Sequence, residues 1–326
     1  IYWVGALLVN NIPAADAAGR ISFFSEILAF GTYATYIVMS FMMLVMIFML
    51  LPQAQVSAER INQVLEASAT IKSGKVKSGN EKGCVEFKNV YFSYPESPEN
   101  ELTNVSFKVN RGETLAIIGA TGSGKSTLIN LIPRLYDATD GEVLVDGVNV
   151  KDYDLSALYD KIGYAAQKAV LFSGTIKDNV FLGECTAARD DKNLNDALET
   201  SQSGEFVDKF YEKTDHKVAQ LGRNFSGGQK QRLSVARALA RKPEILIFDD
   251  TFSALDFRTD ALVRKGIAEK YSDSTRIIVA QRIGTIKNAD KILVLDKGRI
   301  IGEGTHDELM NSCEVYREIA YSQLGA

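Results

Sequence analysis

Histidine, cysteine and tryptophan are all scarce in this chain, whose 326 residues hold two, three and one of them. Cys84, Cys185 and Cys313 stand far apart with no CxxC pair, and neither His216 nor His306 has a partner at metal-ligand spacing. These absences argue against a disulfide framework and a structural zinc site, point to a reducing compartment, and leave all five side chains as packing or surface positions. An excess of positive charge is missing too. With 37 Lys and Arg against 41 Asp and Glu the formal net charge is −4, so no nucleic acid partner held by clustered basic charge is expected.

A local absence says more. Residues 27 to 58 contain no Asp, Glu, Lys or Arg, and Ile27 to Leu51 (ILAFGTYATYIVMSFMMLVMIFMLL) is a run of mostly large apolar side chains. About 20 such residues cross a bilayer, so a transmembrane helix is expected, and its place and length exclude a signal peptide. Five of the six methionines (Met39, Met42, Met43, Met46, Met49) lie here, suited either to a surface that accommodates several ligand shapes or to lipid contact. Arg20 and Glu26 before the span and Glu59 and Arg60 after it give no Lys/Arg asymmetry from which to orient it.

Residues 1 to 9, IYWVGALLV, are wholly apolar but would reach only about 14 Å as a helix, roughly half a bilayer. They read as the end of an earlier membrane helix, and with no initiator Met the chain reads as a fragment. The expected organisation is the last part of a membrane domain over 1–66, with one full helix at about 22–51 and an amphipathic extension. A polar Gly/Ser/Lys-rich linker over 67–83 and a globular domain over 84–324 follow. In that last part β-branched strands alternate with helical patterns (VEFKNVYFSY, ETLAIIG, EVLVDG, EILIFDD, TRIIVAQ, KILVLDKGRI), which predicts an α/β fold with a largely parallel sheet flanked by helices.

The strand ETLAIIG ends in Gly119, Ala120, Thr121, Gly122, Ser123, Gly124, Lys125, Ser126, a full match to GxxxxGK[ST], followed by Thr127 and an apolar helix. Glycines let backbone N–H groups turn toward phosphate, Lys125 reaches the β- and γ-phosphates, and the Ser126 hydroxyl can ligate Mg²⁺. A second strand, Ile245 to Phe248, delivers Asp249, a carboxylate suited to Mg²⁺ held through water. ATP and Mg²⁺ are the cofactors expected, and the fold class is an α/β P-loop NTPase preceded by a transmembrane α-helix.

Phe225-Ser226-Gly227-Gly228-Gln229 opens the helix KQRLSVARALARKP and ends twenty residues before Asp249. Here the sequence resembles an ABC-type ATPase, and the resemblance extends over residues 84 to 324. It implies that Tyr94 stacks on adenine and that Gln167 is the glutamine of the Q-loop, near metal and water. FSGGQ would be the signature loop on its helical subdomain, and SALD, ending at Asp256, the D-loop. It further implies that the signature loop caps the ATP of a second subunit. With the span before it, the chain resembles the last part of an exporter half that fuses six membrane helices to an ATPase domain. That implies a multi-pass protein of the cell membrane, with the ATPase domain cytoplasmic, a second half-transporter as partner and a transported small molecule or lipid.

Three positions depart from the family pattern. The residue after Asp249, usually Glu, is Asp250; the switch histidine is replaced by Gln281 in Val-Ala-Gln-Arg; and the expected Val-Gly-Glu is Val218-Ala219-Gln220. One methylene of lost reach misplaces a base by about 1 Å, which can cost about 10²-fold. A glutamine amide donates a neutral hydrogen bond but carries no proton. Asp250, Gln281 and Gln167 are the candidate catalytic groups, and the cradle and signature are intact, so the chain resembles the degenerate subunit of a heterodimeric exporter. Alternatives open at this point are a homodimeric exporter with slow turnover, a soluble ABC ATPase without transport, and a nucleotide-sensing subunit.

Overall fold

The structure is a computed structural model that describes residues 1–13, 15–95, 97 and 99–324, and it falls into two compact units, Ile1–Thr70 and Ile71–Ala326. The first unit is a helical hairpin of α1 (Tyr2–Asn10) and α2 (Ala17–Glu66). Asp16 caps α2 by accepting the Gly19 amide at 2.9 Å. The two helices meet where side chains vanish: a Cβ on Gly5 would lie 2.7 Å from Ile27, and one on Gly31 2.7 Å from the Tyr2 hydroxyl. Over its most apolar 18 residues α2 has mean hydropathy 2.4 with none of that surface buried. Met42 is 70% and Met49 72% exposed, a state that contact with lipid or with other apolar helices relieves. Pro52 sits inside α2 without ending it, so the membrane-type helix and its polar extension are one continuous rod.

The second unit carries two main sheets. The strands are β1 (Val85–Phe92), β2 (Leu102–Val109), β3 (Thr114–Ile118), β4 (Asp140–Val145), β5 (Val148–Asn149) and β6 (Ile162–Ala165). They continue with β7 (Gly174–Thr175), β8 (Lys217–Val218), β9 (Ile245–Asp249), β10 (Thr275–Val279), β11 (Lys291–Asp296) and β12 (Arg299–Gly304). The larger sheet runs β12-β11-β3-β10-β9-β6; β11, β3, β10, β9 and β6 are parallel and β12 is an antiparallel edge. Its inner strands are mostly apolar, and ILIFD in β9 is buried at every residue. Leu246 and Phe248 share a core with the helix Gly227–Ala240 while Ile245 and Ile247 share one with β1, β2 and β4, so that both faces of the parallel sheet are covered.

The smaller sheet, β2-β1-β4-β5, is antiparallel throughout. The expected largely parallel sheet therefore forms from TLAII, ILIFD, TRIIV and KILVL among others, while VEFKNVYF and EVLV go to a second, antiparallel sheet. Only nine residues separate β1 from β2, too few for the crossover of a dozen or more residues that parallel pairing needs.

The stretch read as linker differs also, because much of it is docked. The Gly74 and Val76 amides donate to Tyr153 O (2.7 Å) and Asp152 O (2.9 Å), Asp154 N returns to Val76 O at 2.8 Å, and Gly83 N donates to Asp146 Oδ1 at 2.7 Å. A Cβ on Gly74 would stand 2.1 Å from Asp152 O and one on Gly79 2.1 Å from Asp146 O. Those glycines are there for close backbone approach as well as for flexibility.

Candidate functional site

β3 and β9 lie on either side of β10, so their C-terminal ends open onto one edge of the sheet, where ligands of doubly wound folds bind. The loop after β3 runs from Gly119 to Gly124 and feeds α3 (Lys125–Asn130). Gly122 and Gly124 adopt φ +81° and +94°, left-handed angles that glycine takes without strain, and nothing lies within 4 Å of a Cβ placed on Gly122. At Gly119 a Cβ would sit 2.0 Å from Leu295 O, so the loop is pressed onto β11 behind and open in front. The Lys125 ammonium donates to Gly119 O at 2.9 Å and Ala120 O at 2.6 Å, folded over the loop that phosphate would fill. Burial holds its pKa below the usual lysine value, with Asp250 and Asp249 opposing.

Ser126 Oγ donates to Asp249 Oδ1 at 3.0 Å, while Tyr164, on β6, reaches Asp249 Oδ2 at 3.4 Å and Asn130 Oδ1 at 3.0 Å. Asp249 is 6% exposed, and burial pushes its carboxyl above the ordinary aspartate value against the Ser126 and Tyr164 hydrogen bonds. A buried carboxylate paired with a hydroxyl, and short of positive charge, is a donor set that fits a hard divalent cation such as Mg²⁺.

Asp250 has φ +44° and ψ +28°, and its N–H donates to Val279 O at 3.0 Å. That left-handed turn aims its side chain along the sheet edge, where Oδ2 accepts Gln281 Nε2 at 2.8 Å and Gln167 Nε2 at 3.3 Å. Gln167, Asp249, Asp250 and Gln281 thus share one cleft of about 190 Å³ with Thr121, Gly122, Gly124, Lys125, Ser126 and Thr127. Tyr94 stands beside it, its hydroxyl 3.0 Å from Thr127 Oγ1 and its ring edge-on to Phe92 and Tyr136 at 4.9 and 5.3 Å. Ala120 and Ser123 complete the loop backbone, joined by Ser123 N to Ala120 O at 3.2 Å.

Gly119, like Tyr94, Ala120 and Ser123, borders this cleft without lining it, whereas Ser226, Gly227, Gly228, Gln229 and Asp256 belong to a separate turn and helix start. Phe225 is buried, edge-on to Phe206, Phe210 and His216, and it anchors an exposed turn at the start of the helix Gly227–Ala240. Ser226 and Gln229 close a reciprocal capping box there, Ser226 N to Gln229 Oε1 at 2.9 Å and Gln229 N to Ser226 Oγ at 3.3 Å. A Cβ on Gly227 would meet open space, and one on Gly228 would touch Ala254 O at 3.5 Å. Asp256 caps the next helix, Phe257–Lys270, accepting Thr259 N at 3.0 Å, and that hydrogen bond holds its carboxyl below the ordinary value. The chain therefore presents two surfaces, a phosphate cradle and a separate glycine turn with open backbone.

Sequence reasoning missed Tyr164, Asn130 and Glu101, which hold or line the cleft. The Tyr164 hydroxyl meets Asp249 across a parallel strand pair, and no sequence spacing signals such a contact.

A glycine cradle after a central parallel strand, with a hydroxyl and a buried carboxylate converging beneath it, defines a P-loop nucleoside triphosphatase unit. Residues 102–253 match the family model described as ABC transporter, and this unit is an ABC transporter ATP-binding domain. An uncharacterized ABC transporter ATP-binding protein of Mycobacterium tuberculosis (strain H37Rv) is 40% identical over 99% of this chain and 54% of its own length. Multidrug resistance protein 1 of Entamoeba histolytica is 40% identical over 75% of this chain and 19% of its own length. A solved bacterial Atm1-family ABC exporter with ATP bound superposes with TM-score 0.77 at 30% identity, over 91% of this chain and 52% of the other. The chain spans about half the length of the first relatives it matches. Its long apolar helix precedes the ATP-binding domain.

Proposed function

We propose that the chain is the ATP-binding part of a membrane ABC exporter subunit that works with a different half-transporter. Its own cradle holds MgATP with little hydrolysis, and its glycine turn completes the partner's hydrolytic site. The observation that carries this reading is the asymmetry between the two surfaces. Around the cradle, Asp250 is one methylene shorter than a glutamate, and the groups on its Oδ2 are two amides, Gln281 and Gln167, neither of which can take up a proton. The signature turn, by contrast, is intact, capped and open at Gly227.

Mg²⁺ held by Ser126 and Asp249 would neutralise phosphate charge at this cleft. Tyr94 would stack on the base, the loop from Gly119 to Thr127 would hold the phosphates, and Lys125 would turn from the Gly119 and Ala120 carbonyls onto them. Across the subunit boundary Ser226, Gly227, Gly228, Gln229 and Asp256 would meet the partner's γ-phosphate with open backbone N–H groups and the cap hydroxyl. Closure driven by ATP at both sites requires that ATP favour the closed pair over the open one.

The protein would sit in the cell membrane as a multi-pass half-transporter with its ATPase domain in the cytoplasm. The substrate class is drug-like or lipid-like: the exposed apolar and methionine-rich surface of α2 suits such molecules, and one relative is a multidrug resistance protein.

The test is ATPase activity of the full-length subunit, alone and with its co-expressed neighbour. Activity that needs the partner, survives Asp250→Asn and collapses with Ser226→Ala supports the reading. Activity of the subunit alone that Asp250→Asn abolishes makes it a homodimeric exporter.

A further inference from the structure

The backbone around Gln281 is fixed by a residue forty-two positions away. On the C-terminal helix Glu314–Leu324, Gln323 Nε2 donates to Gln281 O at 2.6 Å and Gln323 Oε1 accepts Ile283 N at 2.8 Å. One carboxamide thus bridges the two peptide groups that flank Arg282. The short helix Ile283–Ile286 has no side-chain cap of its own at Arg282, so Gln323 supplies the acceptor that the first exposed N–H of a helix requires. The C-terminal helix is itself fixed: Tyr316 is fully buried with its hydroxyl 2.8 Å from His306 Nδ1, and Ala320 is fully buried.

From the other side, β3 holds the segment, Ala280 N donating to Ile117 O at 3.2 Å. Arg282 adds Nη2 to Ser253 O at 3.2 Å and stacks over Phe257 at 5.0 Å. Gln281 is therefore clamped on both sides, and the direction of its side chain follows from that clamp. Among the described residues the side chain has one hydrogen bond, to Asp250 Oδ2.

We infer that Gln323 is a positioning residue. It fixes the Gln281–Ile283 backbone so that the Gln281 amide points at Asp250 in the cleft, and it thereby links the C-terminal helix to the lifetime of bound nucleotide. This rests on the reading that Gln281 faces ATP. A side chain freed to sample other rotamers spends less time at the Asp250 carboxylate, and the loss is that of a hydrogen bond whose net contribution is small. Release of nucleotide is then expected to quicken by about 3- to 10-fold.

The experiment measures release of fluorescent trinitrophenyl-ATP with Mg²⁺ from the full-length protein in four forms: wild type, Gln281→Ala, Gln323→Ala and the double variant. Positioning through Gln281 predicts that each single change quickens release and that Gln323→Ala adds nothing once Gln281 is gone. Gln323→Glu keeps an oxygen for Ile283 N but loses the donor to Gln281 O, so it quickens release while the melting temperature stays near that of wild type. If Gln281→Ala leaves release unchanged, both the site reading and the inference fall. If Gln281→Ala quickens release but Gln323→Ala acts equally in both backgrounds, or not at all, Gln323 only docks a helix and the inference alone is overturned.

Discussion

Replacing Asp250 by Glu and Gln281 by His together should wake the cleft that this chain's own cradle forms. The cleanest background already carries Ser226→Ala, which silences the site to which this chain lends its signature turn. The extra methylene returns about 1 Å of reach, and misplacement of that size costs about 10²-fold. A working base contributes about 10² to 10⁴, so hydrolysis at this cleft should rise by at least about 10²-fold. The backbone opposes the change. Asp250 sits at φ +44°, ψ +28°, a conformation that Asp tolerates better than Glu, with a cost of about 1 kcal/mol for the longer residue. For a unit of this size that lowers the melting temperature by about 2–4 °C. Phosphate release by the assembled, membrane-embedded protein is the assay, with bound nucleotide counted in parallel. If the variant keeps its nucleotide and its fold yet hydrolyses no faster than the Ser226→Ala parent, positions 250 and 281 do not limit this site and the argument from them fails.

Other consequences are simpler to check. Ser226→Ala removes the hydroxyl that caps the helix Gly227–Ala240 and should cost about 1 kcal/mol of stability, a small fall in melting temperature beside a large loss of turnover. Gly141 has φ +79°, and a Cβ there would lie 2.2 Å from Asn89 O, so Gly141→Ala should destabilise the ATP-binding domain by about 2 kcal/mol or more in urea titration. Burial pushes the Cys84 thiol up to about 11. Its thiolate is therefore scarce until the pH nears that value, and any stability this group contributes is present below its ordinary value of 9.0 and lost as pH rises through about 11. Iodoacetamide at pH 8 should label Cys185, which is half-buried, and spare Cys84 and Cys313 until the chain is unfolded.

What could be read from the sequence was what is local along the chain. The cradle is eight consecutive residues whose glycine positions state the backbone they need, and the signature turn Phe225–Gln229 is five more. The apolar run in α2 was equally plain, since bilayer thickness acts directly on segment length. What stayed hidden depends on residues distant in sequence. The antiparallel β2-β1-β4-β5 sheet looks like any set of β-branched runs until β1 is seen to turn straight back into β2. The docked stretch 71–83 is Gly/Ser/Lys-rich like a flexible tether, yet Gly74 and Gly79 are small because Asp152 O and Asp146 O approach them. Tyr164 joins Asp249 only because β6 and β9 lie side by side.

The most direct measurement is the chemical identity of the nucleotide in this chain's cradle during turnover. The assembled transporter is given Mg²⁺ and a photoreactive ATP analogue radiolabelled in its α-phosphate, irradiated during turnover, and separated into subunits whose crosslinked label is then resolved into triphosphate and diphosphate. Intact ATP on the Gly119–Thr127 loop, with ADP on the partner, is the result predicted for a cradle that binds and holds while its signature turn serves the other site. ADP on this chain in the same proportion as on the partner would contradict it.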